Sequence, residues 1–357
     1  MQTNIRLKNL RQKLSSHQAI LLTRPADIRY FSGYDQFLVP EEREGFCLIT
    51  TQTITVMHPS MNHFIKQPGI EYKSGFMPSH LAQLANSSQA IGGWKQLLID
   101  EASLFLNEYR KLVEAVGDKN ILAIDRDLVW NLRMIKSPAE LKLIRSATKI
   151  TEQVQKYARK VARVGMTELE LAHKIENQFK KLGGWPVAFP TIVAFGKNSA
   201  LPHYQPGSVK LKKEMAVLID CGATVGGYHG DMTRSFWFGK KPPAEYIKIS
   251  KIVKDAFEAA CGVLRPGTVS GVTTKVTDAE VTAAKVDQAA RKLITQAGYG
   301  EHFMHTTGHG LGLEIHEPPS LNSRNQQVLK KNMVVTVEPG IYLEDKFGVR
   351  HENVVVV

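Results

Sequence analysis

The chain has little cysteine: Cys47, Cys221 and Cys261 are all that 357 residues contain. So few thiols supply no disulfide framework, and a reducing, cytoplasmic setting is the expectation. No apolar run approaches the roughly 20 residues needed to span a bilayer. The opening MQTNIRLKNLRQKL is polar and amphipathic and lacks the apolar core and cleavage site of a secretory signal. No membrane partner is therefore expected. Zinc-finger spacing, RNA-binding signatures and basic tracts interleaved with aromatics are missing too. The net charge of +12 is spread along the chain, often in helical stretches such as 136–160. It reads as a basic surface in solvent, so nucleic acid is not an expected partner.

At 43% hydrophobic and 22% charged, the composition is that of a globular protein, and the length suggests two domains. In the first half, Ile5, Leu7, Leu10 and Leu14 have helical spacing. AILLT from Ala19 reads as a buried strand, RPADIRYFSGY as a Pro-started helical turn ending at Gly33, and GFCLITTQTITVMH as two strands around a polar turn. EYRKLVEAVG is helical and NILAID is another strand. Strands alternating with helices suggest an α/β domain with a mixed sheet over residues 1–130. His17, His58, His63 and His80 are scattered here and form no catalytic cluster.

The pattern changes near Lys136, where a second domain, 131–357, is expected to begin. Ser137-Pro138-Ala139-Glu140 is a capping box opening a long helix, and Thr167-Glu168-Leu169-Glu170 opens another. VARVGMTELELAHKI is echoed by GVLRPGTVSGVTTKV, which hints at two similar halves with helices covering a curved sheet. From Phe189 the chain is rich in strands, as in FPTIVAFG, MAVLIDCGA and TRSFWFG. Residues 279–298 read as a helix, and strands follow to the end. Asn332 stands at a turn where glycine is usual, and asparagine tolerates a positive φ.

The chemistry concentrates between Leu218 and Glu352. Asp220 ends an apolar strand, where an isolated carboxylate is costly to bury. Alone it reads as a turn cap. Asp231 begins the next strand after Gly226-Gly227, and such a hairpin sets two carboxylates face to face. Like charges in contact call for a cation between them. Glu338 ends VVTVE, Glu352 lies in the apolar strand VRHENVVVV, and His309 sits between two glycines. Four carboxylates and one imidazole make a hard, oxygen-rich site. It suits Mn²⁺ or Co²⁺, with Zn²⁺ and Fe²⁺ as further candidates. Two ions with a water between them as nucleophile are expected in such a site. His203 and His316 adjoin prolines in loops able to face the cleft, where amide hydrolysis needs donors for the developing oxyanion and a proton for the leaving amine. His229, His302 and His351 read as structural, and His305 stays open.

These segments, with IRYFSGY, MIKSPAEL, ALPHY, GHGLG, HEPP, VEPGIY and GVRHEN, resemble the pita-bread metallopeptidases of the methionine aminopeptidase–prolidase group. Within it they are most similar to the Xaa-Pro peptidases, over nearly all of the chain. The resemblance implies an α/β N-terminal domain of the creatinase/prolidase type and an α+β pita-bread catalytic domain with a curved antiparallel sheet. That first domain excludes a plain methionine aminopeptidase. The implied metal ligands are Asp220, Asp231, His309, Glu338 and Glu352, the set reached above. Glu338 would take the proton of the bridging water, and His203 and His316 would contact the scissile carbonyl. Arg350 would be a cation standing either behind the metal ligands or on the substrate side, and Phe189 and Ile192 would line a hydrophobic pocket. Proline-containing peptides are the implied substrates and a homodimer the implied assembly.

Where dipeptide-cleaving members typically carry an arginine four residues after the second active-site histidine, this chain has Ser320. Serine cannot form the bidentate ion pair that clamps a terminal carboxylate. The expectation is therefore an Xaa-Pro aminopeptidase acting on longer peptides, with an Xaa-Pro dipeptidase as the alternative. A non-catalytic binding protein on the same fold is more remote, because all the ligand positions are intact. Similar enzymes often continue past the last strand, whereas this chain ends at Val357. A weakly held final strand is expected.

Overall fold

The computed structural model describes residues 2–35, 45–59, 66–74, 94–264 and 281–357. It divides into two compact units, Met1–Arg133 and Met134–Val357. His63, His80 and most of the second repeat, GVLRPGTVSGVTTKV, lie outside the described residues. Among those residues, no helix is long and apolar enough to cross a membrane.

The first unit is built on a six-stranded mixed sheet. Its strands are β1 (Gln18–Leu22), β2 (Phe46–Ile49), β3 (Ile54–His58), β4 (Glu71–Ser74), β5 (Gln96–Ile99) and β6 (Ile121–Ala123), in the spatial order β4-β3-β2-β1-β5-β6. The β1–β2 and β2–β3 pairs are antiparallel, and β1–β5, β3–β4 and β5–β6 are parallel. Helices α1 (Gln2–Arg11), α2 (Pro25–Ser32) and α3 (Leu106–Val116) accompany the sheet, and α4 (Asp127–Met134) follows it. Gly33 ends α2 at φ 72°, the left-handed value that glycine takes without a Cβ penalty. Ala19, Leu21, Phe46, Leu48, Leu97 and Ile99 meet Trp94 and Leu112 in the core.

The second unit opens on α5 (Pro138–Val161), then α6 (Glu168–Leu182). Both capping boxes are present, with Ser137 and Thr167 accepting from the amides of Glu140 and Glu170. Strands β7 (Ile192–Phe195), β8 (Met215–Cys221) and β11 (Met232–Phe238) form one antiparallel sheet in the order β11-β8-β7. A short hairpin, β9 (Thr224–Val225) and β10 (Tyr228–His229), interrupts the chain between β8 and β11. Helices α7 (Ala244–Leu264) and α8 (Ala283–Gln296) follow. The second sheet holds β12 (Gly308–Gly310), β13 (Glu317–Leu321), β14 (Val334–Val337) and β17 (Asn353–Val356) in the antiparallel order β13-β12-β14-β17. Hairpin β15 (Gly340–Leu343)–β16 (Phe347–Arg350) completes the set. An antiparallel bridge between Arg234 and His351 joins β11 to the turn after β16.

The apolar faces of α5 and α6 pack on the first of these sheets through Ala147, Val154, Leu171, Ile175 and Phe179 against Val193, Val217 and Ile219. Asn332 has φ 68°, the turn conformation its side chain tolerates. The end of the chain is better held than its length suggested. β17 pairs along its whole length with β14, and Val357 exchanges backbone hydrogen bonds with Met333 and Asn332 at 2.9 and 3.0 Å.

Candidate metal centre

Five apolar residues of β8 carry Asp220 into the interior, where it is 8% exposed. β11 starts directly after Asp231, and the register pairs Thr233 with Asp220. The two aspartates are thus diagonal neighbours rather than directly opposed, because the Gly226-Gly227 turn closes its own small hairpin between them. Glu338 follows β14 and precedes β15. Glu352 lies in the turn between β16 and β17, not within one continuous strand as VRHENVVVV suggested.

His309 occupies the middle of β12. A Cβ on Gly308 would overlap the Thr336 carbonyl, and one on Gly310 would overlap the Pro318 carbonyl. Only glycine lets the flanking strands close in on either side of the imidazole. His309 Nδ1 donates to the Gly310 carbonyl at 3.0 Å, so Nε2 keeps its lone pair. That nitrogen lies 3.4 Å from Glu338 Oε1 and 3.8 Å from Asp231 Oδ2. Asp231, His309 and Glu352 each offer a donor atom within 4.8 Å of the others.

A second layer of side chains holds the first. Arg350 donates to Asp220 Oδ2 at 2.7 Å, to Thr233 Oγ1 at 2.9 Å and to the Tyr342 hydroxyl at 2.8 Å. Thr233 passes its proton side to Glu352 Oε2 at 2.6 Å. Thr336 Oγ1 accepts from the His309 amide at 3.0 Å and donates to Glu338 Oε1 at 3.4 Å. The Tyr342 hydroxyl also meets His305 Nε2 at 2.8 Å, while His305 Nδ1 donates to the Thr306 carbonyl. Sequence reasoning missed Thr233, Thr336 and Tyr342. Their signal was strand alternation: Thr233 is two residues past Asp231, and Thr336 is two residues before Glu338.

Burial raises the carboxyls of Asp231 and Glu352 well above the carboxylate range, and the neighbouring carboxylates push the same way. Burial takes Glu338 up to about 7, against the pull of Arg350. For Arg350 itself burial lowers the guanidinium, but Tyr342 and the surrounding acids outweigh it and the net shift is upward. Burial lowers His309, which keeps its imidazole neutral and able to ligate. Asp220 Oδ1 and Asp231 Oδ1 are buried with no hydrogen-bond partner. Buried, unpartnered carboxylate oxygens beside a neutral imidazole are the donor set a divalent cation satisfies, so these residues fit the expected metal ions.

The other expected residues fall around this cluster in different ways. The His316 ring stands edge-on to His309, centroids 4.5 Å apart, and burial lowers it, helped by His309 and His203. His203 is exposed in the loop after the short helical turn Gly196–Ala200, next to Pro202, whose carbonyl faces Arg350 at 3.4 Å. Ile192 pairs with Asp220 across β7 and β8 and packs with Tyr204 and Tyr342. The half-buried Phe189 ring lies against Gly222, where a Cβ would meet it. Ser320 sits on β13 and accepts from Asn322 Nδ2 at 3.0 Å. His229 bonds Thr224 and the Leu313 carbonyl, His302 faces Tyr299, and His351 packs on Phe257.

Two family models match: Metallopeptidase family M24 over residues 142–357 and the Creatinase/Prolidase N-terminal domain over residues 6–135. An Xaa-Pro dipeptidase of Pyrococcus horikoshii is 31% identical, covering 96% of this chain and 91% of the relative. A solved Xaa-Pro dipeptidase from Bacillus anthracis is 29% identical with a TM-score of 0.86, covering 99% of this chain and 95% of the other. An X-Pro aminopeptidase from Thermotoga maritima is 32% identical with a TM-score of 0.82, covering 97% and 94%.

Proposed function

The chain belongs to Metallopeptidase family M24, with a Creatinase/Prolidase N-terminal domain ahead of the peptidase, and from that premise we propose that it cleaves Xaa-Pro dipeptides. The observation that carries this reading is the convergence of Asp231, His309 and Glu352 within 4.8 Å, beside carboxylate oxygens that lack partners. The Xaa-Pro dipeptidases of P. horikoshii and B. anthracis support the choice of dipeptide substrate over the longer peptides expected from Ser320. Asp220, Asp231, His309, Glu338 and Glu352 would hold two divalent ions, Mn²⁺ or Co²⁺ by donor hardness. Bound ions supply Lewis acidity and make water a competent nucleophile near neutral pH.

The remaining steps belong to the chain's own groups. Glu338, held by the Thr336 hydroxyl at 3.4 Å, accepts the proton of the attacking water. His316 and His203 donate to the scissile carbonyl as it gains charge and to the departing proline nitrogen. Arg350 orients Asp220 through its 2.7 Å bond. Phe189 and Ile192 offer an apolar wall to the proline ring. A cytoplasmic homodimer is part of the same proposal.

A second reading, an Xaa-Pro aminopeptidase, is favoured by Ser320, a neutral side chain where a carboxylate clamp would need a cation. One assay separates the two. After chelation, Mn²⁺ or Co²⁺ is restored and an Xaa-Pro dipeptide is offered beside an Xaa-Pro-Yaa tripeptide. Dipeptide cleavage is expected. Cleavage of the tripeptide alone would transfer the assignment to the second reading, and metal-independent turnover would sink both.

A further inference from the structure

We infer that Glu168 is a positioning residue for His203, acting through Tyr204; the inference rests on the peptidase reading of His203. Glu168 is the first residue of α6 and is 0% exposed. It does not cap its own helix, since Thr167 already accepts from Glu170. Its carboxylate instead receives four hydrogen bonds. Oε1 accepts from the Phe195 amide at 2.8 Å and Asn198 Nδ2 at 2.9 Å. Oε2 accepts from the Tyr204 hydroxyl at 2.8 Å and the Gly207 amide at 3.1 Å. These bonds fill the carboxylate's lone-pair sites. All four donors lie on one segment, 195–207, and that segment carries His203.

A purely structural role is already met by other contacts. The stretch after the loop is fastened to the start of α6 by the backbone bonds Glu168–Val209, Leu169–Gly207 and Leu211–Met166. The side chain reaches past that seam to the middle of the loop. Asn198 Nδ2 also bonds the Tyr204 hydroxyl, at 2.7 Å, which closes a triangle of Glu168, Asn198 and Tyr204. On the other side of His203, the Pro202 carbonyl faces Arg350, which binds Asp220. His203 therefore stands between two fastened neighbours, Pro202 tied to the acidic cluster and Tyr204 tied to Glu168. Its own ring is exposed and makes no hydrogen bond among the described residues. A side chain with no hydrogen bond of its own takes its place largely from its backbone, and catalytic geometry tolerates errors of only about 1 Å. A charge-assisted network anchored on a buried carboxylate is stiff enough to hold the backbone to that tolerance.

The test uses the full chain with Tyr204→Phe, Glu168→Gln and His203→Ala. Tyr204→Phe deletes one hydroxyl and keeps the ring, so folding survives even if Glu168→Gln fails to fold. With metal content and melting temperature unchanged, it is expected to lower kcat for an Xaa-Pro dipeptide about tenfold and shift KM less than about twofold. In the His203→Ala background the same substitution should cost less than about twofold, because residues acting through one another are not additive. Hydrogen exchange in residues 196–207 should quicken in Tyr204→Phe. Equal losses in both backgrounds, or unchanged exchange in that loop, would overturn the inference. A wild-type enzyme inert toward every Xaa-Pro substrate would instead refute the peptidase reading, and the exchange measurement would still decide whether Glu168 holds the loop.

Discussion

At the scale of single residues, the cluster gathers buried acids whose unpartnered oxygens a cation would satisfy. Metal-free, the acids Asp231, Glu338 and Glu352 hold protons more tightly folded than unfolded, first through burial. The folded state then binds extra protons between the ordinary glutamate value of 4.5 and the value of about 7 at Glu338. Stability from this source is full below that window and is lost as pH rises through it. Chelated wild type should lose more melting temperature between pH 4.5 and 7 than chelated Glu338→Gln. Adding Mn²⁺ should reverse the trend, because the cation binds only the deprotonated acids. Parallel melting curves for the two chelated proteins would argue against proton uptake by Glu338 in the folded state.

At the scale of elements, the turn joining β12 to β13 depends on a buried ion pair. Lys136 precedes the N-cap of α5, and Glu317 opens β13 beside His316. Their side chains are each 1% exposed and 3.2 Å apart. Glu317 Oε1 also accepts from the amides of Leu313 and Glu314 at 2.9 and 3.1 Å, holding the turn between His309 and His316. Removing one partner leaves a charge in the interior, so Lys136→Ala should cost about 3–5 kcal/mol in urea unfolding. The double variant Lys136→Met, Glu317→Gln should recover part of that loss. A Lys136→Ala protein within about 1 kcal/mol of wild type would show that the pair contributes little. Local patterns announced the elements well: Ser137 and Thr167 sit in capping boxes, and MAVLID is a buried strand. They could not announce this pair, since Lys136 and Glu317 are 181 residues apart in sequence.

At the scale of the whole molecule, all the expected ligands lie within 134–357, the second compact unit. Metal binding should therefore slow hydrogen exchange in 215–238 and 305–356 while leaving β1, β2 and β3 unchanged. Protection spread evenly over both units would contradict a centre built from the second alone. The chain's own order determined a good deal of this. Glycine on both sides of His309, carboxylates at the ends of apolar strands and two capping boxes are local features with local causes, and they marked the α/β unit, the strand-rich unit and the acid-and-imidazole set. Tertiary structure alone decided the rest. Thr233 rather than Asp231 stands opposite Asp220 because register is settled by the hairpin between them. Arg350 reaches Asp220 across 130 residues, and Glu168 reaches Tyr204 across 36. Such contacts are set by how sheets and helices pack, and no periodicity in a single strand or helix encodes its partner.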